Sequence, residues 1–99
     1  NYFVFSGIGN NINFLNLLKK NKINISGYKF FPDHYEYNDH EIDKLKNHAQ
    51  KNKLHLLTTE KDYLRLGEKN KKNIEHCKIQ LIINDEEKLV KQIMSYEDN

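Results

Sequence analysis

The chain has 99 residues, of which 37% are hydrophobic and 30% are charged. This length predicts one domain with one modest hydrophobic core. The 16 basic and 14 acidic side chains are mixed along the chain, so they form no large field of one sign and argue against a nucleic-acid-binding protein.

The first third of the chain predicts a strand, a turn, a helix and a second strand. Residues 2–6 form a short run rich in β-branched and aromatic residues, and Gly7 and Gly9 end it. Asn10 or Asn11 can then cap a helix. A second strand is predicted over residues 23–31, because the proline that follows cannot donate to a β-ladder. The helix between them is predicted from apolar residues at helical spacing, namely Ile12, Phe14, Leu15 and Leu18.

The rest of the chain continues the same alternation. A helix capped at Asn38 or Asp39 is predicted to carry a narrow apolar stripe of Ile42, Leu45 and Ala49. The remaining predicted elements are a third strand over 54–57, a helix capped by Thr58 or Thr59 and stopped by Gly67, a polar loop over 68–75, a fourth strand over 79–83 and a last helix over 85–96.

Four strands that are each followed by a helical segment predict an α/β fold. We expect a mostly parallel, four-stranded sheet with helices packed on its faces, a Rossmann-like three-layer βα repeat. Ligands of such sheets bind at the C-terminal ends of the strands. Those ends are predicted at residues 6–10, 31–37, 58–62 and 84–85, so candidate functional residues are sought there.

The glycine turn at residues 6–10, Ser-Gly-Ile-Gly-Asn, is the first candidate. Glycines let the backbone approach an anion, and a helix N-terminus offers free N–H groups, so Gly7, Gly9 and Asn10 are candidate contacts to substrate or nucleotide. The pattern matches neither G-x-G-x-x-G nor a Walker A sequence. A tight turn between strand and helix is therefore the favoured interpretation.

The pair Asp33 and His34 lies on the loop after the proline-terminated second strand. A histidine can accept a proton from a hydroxyl near neutral pH, and a neighbouring carboxylate can hold it in place. The pair is therefore a candidate for catalysis. A loop histidine with only local hydrogen bonds is the other interpretation.

A metal site built by this chain is not expected. His40 and His48 are eight residues apart, so more than two helical turns separate them and they cannot share an ion. The single cysteine, Cys77, excludes an intramolecular disulfide and a multi-cysteine metal site, which favours a reducing, cytosolic compartment.

The segment after the third strand reads Thr-Thr-Glu-Lys-Asp. Its threonine hydroxyls and the compact cation of its lysine are candidates to face phosphate or sugar oxygens at the mouth of a cleft. A helix cap with an acidic first turn explains the same residues without any ligand. The candidates are Thr58, Thr59, Glu60, Lys61 and Asp62.

No apolar run approaches the roughly 18 to 20 residues needed to cross a bilayer, and the N-terminus lacks the order of a signal peptide. We therefore expect this piece to be soluble. Residues 2–5 already have the pattern of a buried strand and no Met precedes them, so we expect a fragment of a larger protein.

Three blocks in order, F-S-G-I-G-N, F-F-P-D-H-Y-E-Y and L-T-T-E-K-D-Y-L-R-L, resemble the C-terminal region of the tetraacyldisaccharide 4′-kinase family, the lipid A kinases. The resemblance runs from about Phe3 to Leu66, and the spacing between the blocks also fits. Residues 67–99 match only in their βα pattern.

This resemblance implies a P-loop kinase that uses ATP and Mg²⁺. The family transfers the γ-phosphate to the 4′-hydroxyl of a lipid disaccharide 1-phosphate at the cytoplasmic face of the bacterial inner membrane. By resemblance, His34 would pair with an aspartate of the other lobe and help deprotonate the sugar hydroxyl. Asp33 would orient the loop.

The chain departs from the family pattern in three respects. It contains no G-x-x-x-x-G-K-[ST], no Walker B strand and no membrane-binding N-terminal segment. We expect residues 1–99 to be one α/β domain, the C-terminal lobe of a kinase whose N-terminal lobe is absent and makes the membrane contact. Alone, this lobe is expected to bind no ATP or Mg²⁺ and to be inactive.

A different class of function fits the same residues. In a stand-alone binding or regulatory α/β domain, the glycine turn would hold a small anion and His34 would be incidental. A Walker A sequence upstream in the full-length gene product would decide for the kinase.

Overall fold

Helices and strands alternate along the part of the chain that the structure, a computed structural model, describes: residues 1–78 and 92–94. These elements are β1 (Tyr2–Ser6), α1 (Asn11–Lys20), β2 (Ile25–Phe30), α2 (Asp39–Lys51), β3 (His55–Thr59), α3 (Glu60–Leu64), a 3₁₀ turn (Glu68–Lys71), β4 (Ile74–Lys78) and β5 (Gln92–Met94). The longest of these helices, α2, has 13 residues, and no described helix is long and apolar enough to cross a membrane.

The strands form one sheet in the order β2-β1-β3-β4-β5. Strands β1 to β4 run parallel to one another, and β5 pairs antiparallel with the outer edge of β4. Crossover helices connect the parallel strands, as this geometry requires. The prediction of an α/β fold with a mostly parallel sheet is therefore confirmed.

Each α-helix begins at a side chain that accepts a backbone N–H. The side chain of Asn10 caps α1, and Asn38 forms a reciprocal capping box with Glu41 at the start of α2. The side chain of Thr59 caps α3. Such caps typically stabilise a helix by about 1 kcal/mol, and here they also fix where each helix leaves the edge of the sheet.

Two hydrophobic clusters lie on opposite faces of the sheet, because successive strand residues point to opposite sides. In β1, Phe5 faces α2 and Val4 faces α1, and both are fully buried. The α2 side contains Phe5, Phe31, Ile42, Leu45, Ala49, Leu56, Tyr63, Leu66 and Ile74, and the α1 side contains Val4, Phe14, Leu18, Leu57 and Cys77. Helices therefore cover both faces, as the three-layer prediction states.

The apolar face of α1 differs from the predicted stripe. Ile12 is 57% exposed, whereas Phe14, Leu15 and Leu18 are buried as predicted, and Leu17 is buried as well. The buried face therefore begins at Phe14 and includes the residues three and four positions after it, and Ile12 lies outside it.

The third strand is longer at its C-terminal end than the predicted 54–57, because Thr58 and Thr59 belong to β3. The cap of α3 is therefore Thr59 and not Thr58. The helix that follows ends at Leu64, before the predicted stop at Gly67.

The predicted polar loop over 68–75 is wrong at both of its ends. Residues Glu68–Lys71 form a 3₁₀ turn, and Ile74 begins β4, where it is fully buried. The predicted strand over 79–83 lies outside the described residues. The predicted helix over 85–96 is wrong at Gln92–Met94, which pair with β4 and so protect its outer edge, and the rest of that helix lies outside the described residues.

Candidate active site

Three strand ends meet at the carboxyl-terminal edge of the sheet. The backbone N–H of Gly7, just after β1, donates to both oxygens of the Asp62 carboxylate at 3.0 and 3.2 Å. The backbone N–H of His34, in the loop after β2, donates to the carbonyl oxygen of Gly7 at 3.1 Å. The structure therefore brings the three segments that carry the predicted site residues into direct contact.

The Asp62 carboxylate is the centre of this edge and is fully buried. Besides the Gly7 amide, it accepts from the Thr59 hydroxyl at 2.6 Å, from the Tyr37 hydroxyl at 3.0 Å and from Arg65 Nη1 at 3.2 Å. An ionised carboxylate has about four acceptor sites, and these donors use them. Asp62 therefore lies beneath the predicted cleft, and its hydrogen bonds hold the loops of the cleft in place.

Tyr37 donates to this carboxylate as a neutral phenol. Burial raises its pKa above the ordinary range of a tyrosine, and the charge of Asp62 and the hydrogen bond to it raise the pKa further. The ring also packs edge-on against Phe5 and Phe31, with centroids 5.5 and 5.0 Å away. The phenol therefore keeps its proton near neutral pH and can donate to Asp62.

Gly7 occupies a position that leaves no room for a side chain. A Cβ atom there would lie 2.8 Å from the carbonyl oxygen of Pro32 and 3.2 Å from atoms of Tyr35 and Tyr37. Its N–H, the first that the turn offers, is already bound to Asp62. This geometry supports the tight-turn interpretation and leaves a small anion without that donor.

The remaining residues of the glycine turn lie nearer the surface. Gly9 and Asn10 are exposed, and a Cβ atom on Gly9 would meet only Asp33 Oδ2, at 3.5 Å. The side chain of Asn10 caps α1 by accepting from the N–H of Asn13 at 3.1 Å.

The threonines point inward, contrary to the expectation that they face ligand oxygens. Thr58 is fully buried, and its hydroxyl donates to the carbonyl oxygen of Phe5 at 2.7 Å. Thr59 is 4% exposed, and its hydroxyl bonds to Asp62. Both hydroxyls are satisfied inside the protein because β3 extends through them, whereas Lys61 on the first turn of α3 is exposed.

His34 lies at this edge, and its imidazole is exposed to solvent. The side chain is 81% exposed, its Nε2 lies 3.7 Å from Asp33 Oδ2, and its Nδ1 lies 3.3 Å from Arg65 Nη2. The ring borders an open depression of about 460 Å³ that Glu36, Tyr37 and Arg65 also line. It is therefore accessible to a group that approaches from outside the chain.

The backbone of His34 adopts φ 61°, in the left-handed region. This conformation costs a residue with a side chain about 1–2 kcal/mol. Two others of the described positive-φ residues, Lys22 and Lys53, follow the C-caps of α1 and α2, where a left-handed residue is common. His34 follows no helix, and its conformation is held by the bond to Gly7 instead, so the loop is fixed at the histidine.

The sequence model of the family described as tetraacyldisaccharide-1-P 4′-kinase matches residues 1–97. The chain belongs to this family. The resemblance found from three motifs is confirmed, and the match extends beyond Leu66 into the segment where only a βα pattern was recognised.

Several curated relatives carry the name tetraacyldisaccharide 4′-kinase. The chain is 45% identical to that of Pelagibacter ubique (strain HTCC1062) over 94 residues, which are 95% of this chain and 30% of the relative. It is 41% identical to that of Rickettsia akari (strain Hartford) over 93 residues, covering 94% of this chain and 28% of the relative. The chain therefore spans about 30% of the length of these kinases, and no solved structure matches it.

The structure adds to this edge two side chains that the sequence does not single out as site residues, Tyr37 and Arg65. The spacing of Asp62 and Arg65, three residues apart on a predicted helix, is a sequence signal for an ion pair. Their contacts with Gly7 and with His34 give no such signal, because those partners come from other strand ends.

The described residues form no cluster of side chains that fits a divalent metal ion. None of their histidine, cysteine, aspartate and glutamate side chains form a group of three that could hold a metal ion. The carboxylate best placed at the edge, Asp62, is buried and fully hydrogen bonded. Residues 1–78 and 92–94 therefore offer no carboxylate cluster of the kind that holds Mg²⁺.

Proposed function

We propose that this chain is the C-terminal lobe of a tetraacyldisaccharide 4′-kinase. The whole enzyme transfers the γ-phosphate of ATP to the 4′-hydroxyl of a tetraacyldisaccharide 1-phosphate, and this lobe supplies His34 to the active site. Family membership and the 30% coverage of the relatives support the proposal. The observation that carries it is an exposed imidazole at the strand ends, on a loop that the rest of the edge holds in place.

The chemistry needs a route for one proton. As the 4′-oxygen forms a bond to the γ-phosphorus, its O–H bond breaks and the bridging bond to the departing ADP also breaks. Phosphoryl transfer depends mainly on positioning and on charge stabilisation, and an imidazole can hold or move the proton near neutral pH. His34, paired with an aspartate of the N-terminal lobe, assists the deprotonation, and Asp33 orients the loop.

The other exposed residues of the edge line the same cleft in this proposal. Gly7 and Gly9 shape its floor, and Asn10, Glu60 and Lys61 stand at its rim, while Thr58, Thr59 and Asp62 form the layer beneath. The N-terminal lobe holds ATP and Mg²⁺ and contacts the membrane, and the whole enzyme works at the cytoplasmic face of the bacterial inner membrane.

The test is the substitution His34→Ala in the full-length enzyme. Turnover should fall by roughly 10² to 10⁴, the usual span for groups that move protons, with the folded state intact by circular dichroism. The matched control is His40→Ala, which removes an exposed histidine on α2. Unchanged turnover in His34→Ala would remove this histidine from the mechanism.

A further inference from the structure

The two nitrogens of the His34 ring face groups of opposite charge. Arg65 Nη2 lies 3.3 Å from Nδ1, and Asp33 Oδ2 lies 3.7 Å from Nε2. One neighbour is therefore a hydrogen-bond donor, and the other is an acceptor.

These two contacts select the same tautomer of the neutral ring. An arginine has five N–H donors and no acceptor, and it stays protonated in proteins, so a nitrogen that bonds to it must offer its lone pair. That nitrogen is Nδ1, which leaves the ring proton on Nε2. The carboxylate beside Nε2 favours the proton there as well, since a carboxylate attracts an N–H and repels a lone pair.

The Arg65 guanidinium is held independently of the histidine. Its Nη1 donates to the carbonyl oxygen of Gly7 at 3.1 Å and to Asp62 Oδ1 at 3.2 Å, and the side chain is only 25% exposed. The same Gly7 carbonyl accepts the backbone N–H of His34. The Gly7 carbonyl oxygen thus helps to position both the loop and, through Arg65, the imidazole ring. The planar guanidinium also fixes the direction of its second N–H group.

We propose that Arg65 is a positioning residue that keeps the neutral His34 ring in the Nε2–H form. His34 then carries its N–H on Nε2, beside Asp33, and its lone pair on Nδ1 is directed at Arg65. The consequence for catalysis rests on the proposed function: His34 assists the deprotonation as a hydrogen-bond donor to the aspartate of the N-terminal lobe, and that carboxylate takes the hydroxyl proton. The tautomer itself is a property of the ring and is measurable without turnover.

The direct test is ¹⁵N NMR of the full-length protein labelled at its histidines, at about pH 9, where histidine is neutral. The His34 signals, assigned by their loss in His34→Gln, should show a protonated Nε2 and an unprotonated Nδ1. Arg65→Lys keeps a cation beside Asp62, but a single ammonium group cannot replace the two-armed contact, so the ring should become a mixture of both forms. Lys44→Gln, at an exposed lysine on α2, is the matched control and should leave the tautomer unchanged.

A protonated Nδ1 in the wild-type protein would overturn the proposal. An unchanged tautomer in Arg65→Lys would also overturn it, because Arg65 would then not be what selects the form.

The second test uses glutamine, whose side-chain amide can donate close to the place of Nε2. In the full-length enzyme, His34→Gln should recover at least about tenfold of the turnover that His34→Ala loses, because one good hydrogen bond to a charged group is worth that factor or more. Equal losses in the two variants would overturn the donor role and leave the proposed function in place. Full activity in both would instead contradict the proposed function.

Discussion

The two ends of the sheet differ in what they offer a ligand. At the amino-terminal ends of β3 and β4, next to α2, lies an open depression of about 640 Å³. The depression at the carboxyl-terminal end, beside His34, is smaller, at about 460 Å³. Beneath the smaller depression lies the buried Asp62 carboxylate, which holds several loops by hydrogen bonds. The arrangement of polar groups, and not the size of the depression, therefore identifies the candidate site.

Polar contacts at the amino-terminal end join neighbouring strands side by side. The Tyr2 hydroxyl donates to Glu75 Oε1 at 3.1 Å, and His55 Nδ1 lies 3.3 Å from Glu75 Oε2. Burial raises the pKa of Tyr2, and the charge of Glu75 and the bond to it add to this effect. These residues stand at the starts of adjacent strands, so they stabilise the pairing of the sheet.

The largest effect is expected at the buried carboxylate. Asp62→Ala should lower the opening free energy of the carboxyl-terminal edge by about 3 kcal/mol, because several buried donors, one of them charged, lose their acceptor. Hydrogen exchange of the His34 amide in the full-length protein measures this, since that amide bonds to the Gly7 carbonyl oxygen and not to Asp62 itself.

Asp43→Ala is the matched control for this prediction. Asp43 is an exposed carboxylate that lines the amino-terminal depression, and exposed substitutions of this kind usually change stability by less than about 0.5 kcal/mol. Equal protection of the His34 amide in wild type and Asp62→Ala would show that the carboxylate does not hold the loops together.

A contact can be predicted from the sequence when its two residues lie close together along the chain. The caps Asn10, Asn38 and Thr59 are among the predicted ones, because a cap and its partner lie three residues apart. The position of His34 is also predictable, since a loop that follows a parallel strand must emerge at the carboxyl-terminal edge.

Partners on separate elements are beyond such prediction. The sequence indicates a first-turn carboxylate at Asp62, but this side chain bonds to Gly7, which is 55 residues away in sequence. The contact of Arg65 with His34 joins residues 31 apart. The lysines and glutamates that precede Ile74 predict a loop there, whereas its pairing with Leu56 of β3 makes it part of the core.

Alanine substitutions at two glycines test whether a side chain is excluded at one of them by neighbouring atoms. Gly7→Ala should destabilise the protein by about 2 kcal/mol, because the new methyl group meets the backbone oxygen of Pro32, which cannot move away as a side-chain tip could. Gly67→Ala meets no atom within 4 Å and has φ −68°, so it should be neutral or stabilise by about 0.5 kcal/mol. The midpoints of thermal unfolding, compared side by side in the full-length protein, measure both, and a Gly7→Ala protein as stable as Gly67→Ala would contradict the close approach.

The smallest effect is expected at the larger depression. Gln50, on α2, is exposed and lines it, and Gln50→Ala in the full-length enzyme should change turnover by less than about twofold, as surface substitutions away from a site do. The reason is that phosphoryl transfer depends mainly on groups held in position, and His34, the residue proposed to take part in it, lies at the carboxyl-terminal edge. A tenfold loss in Gln50→Ala alongside normal turnover in His34→Ala would reverse the comparison and place the chemistry at the amino-terminal end of the sheet.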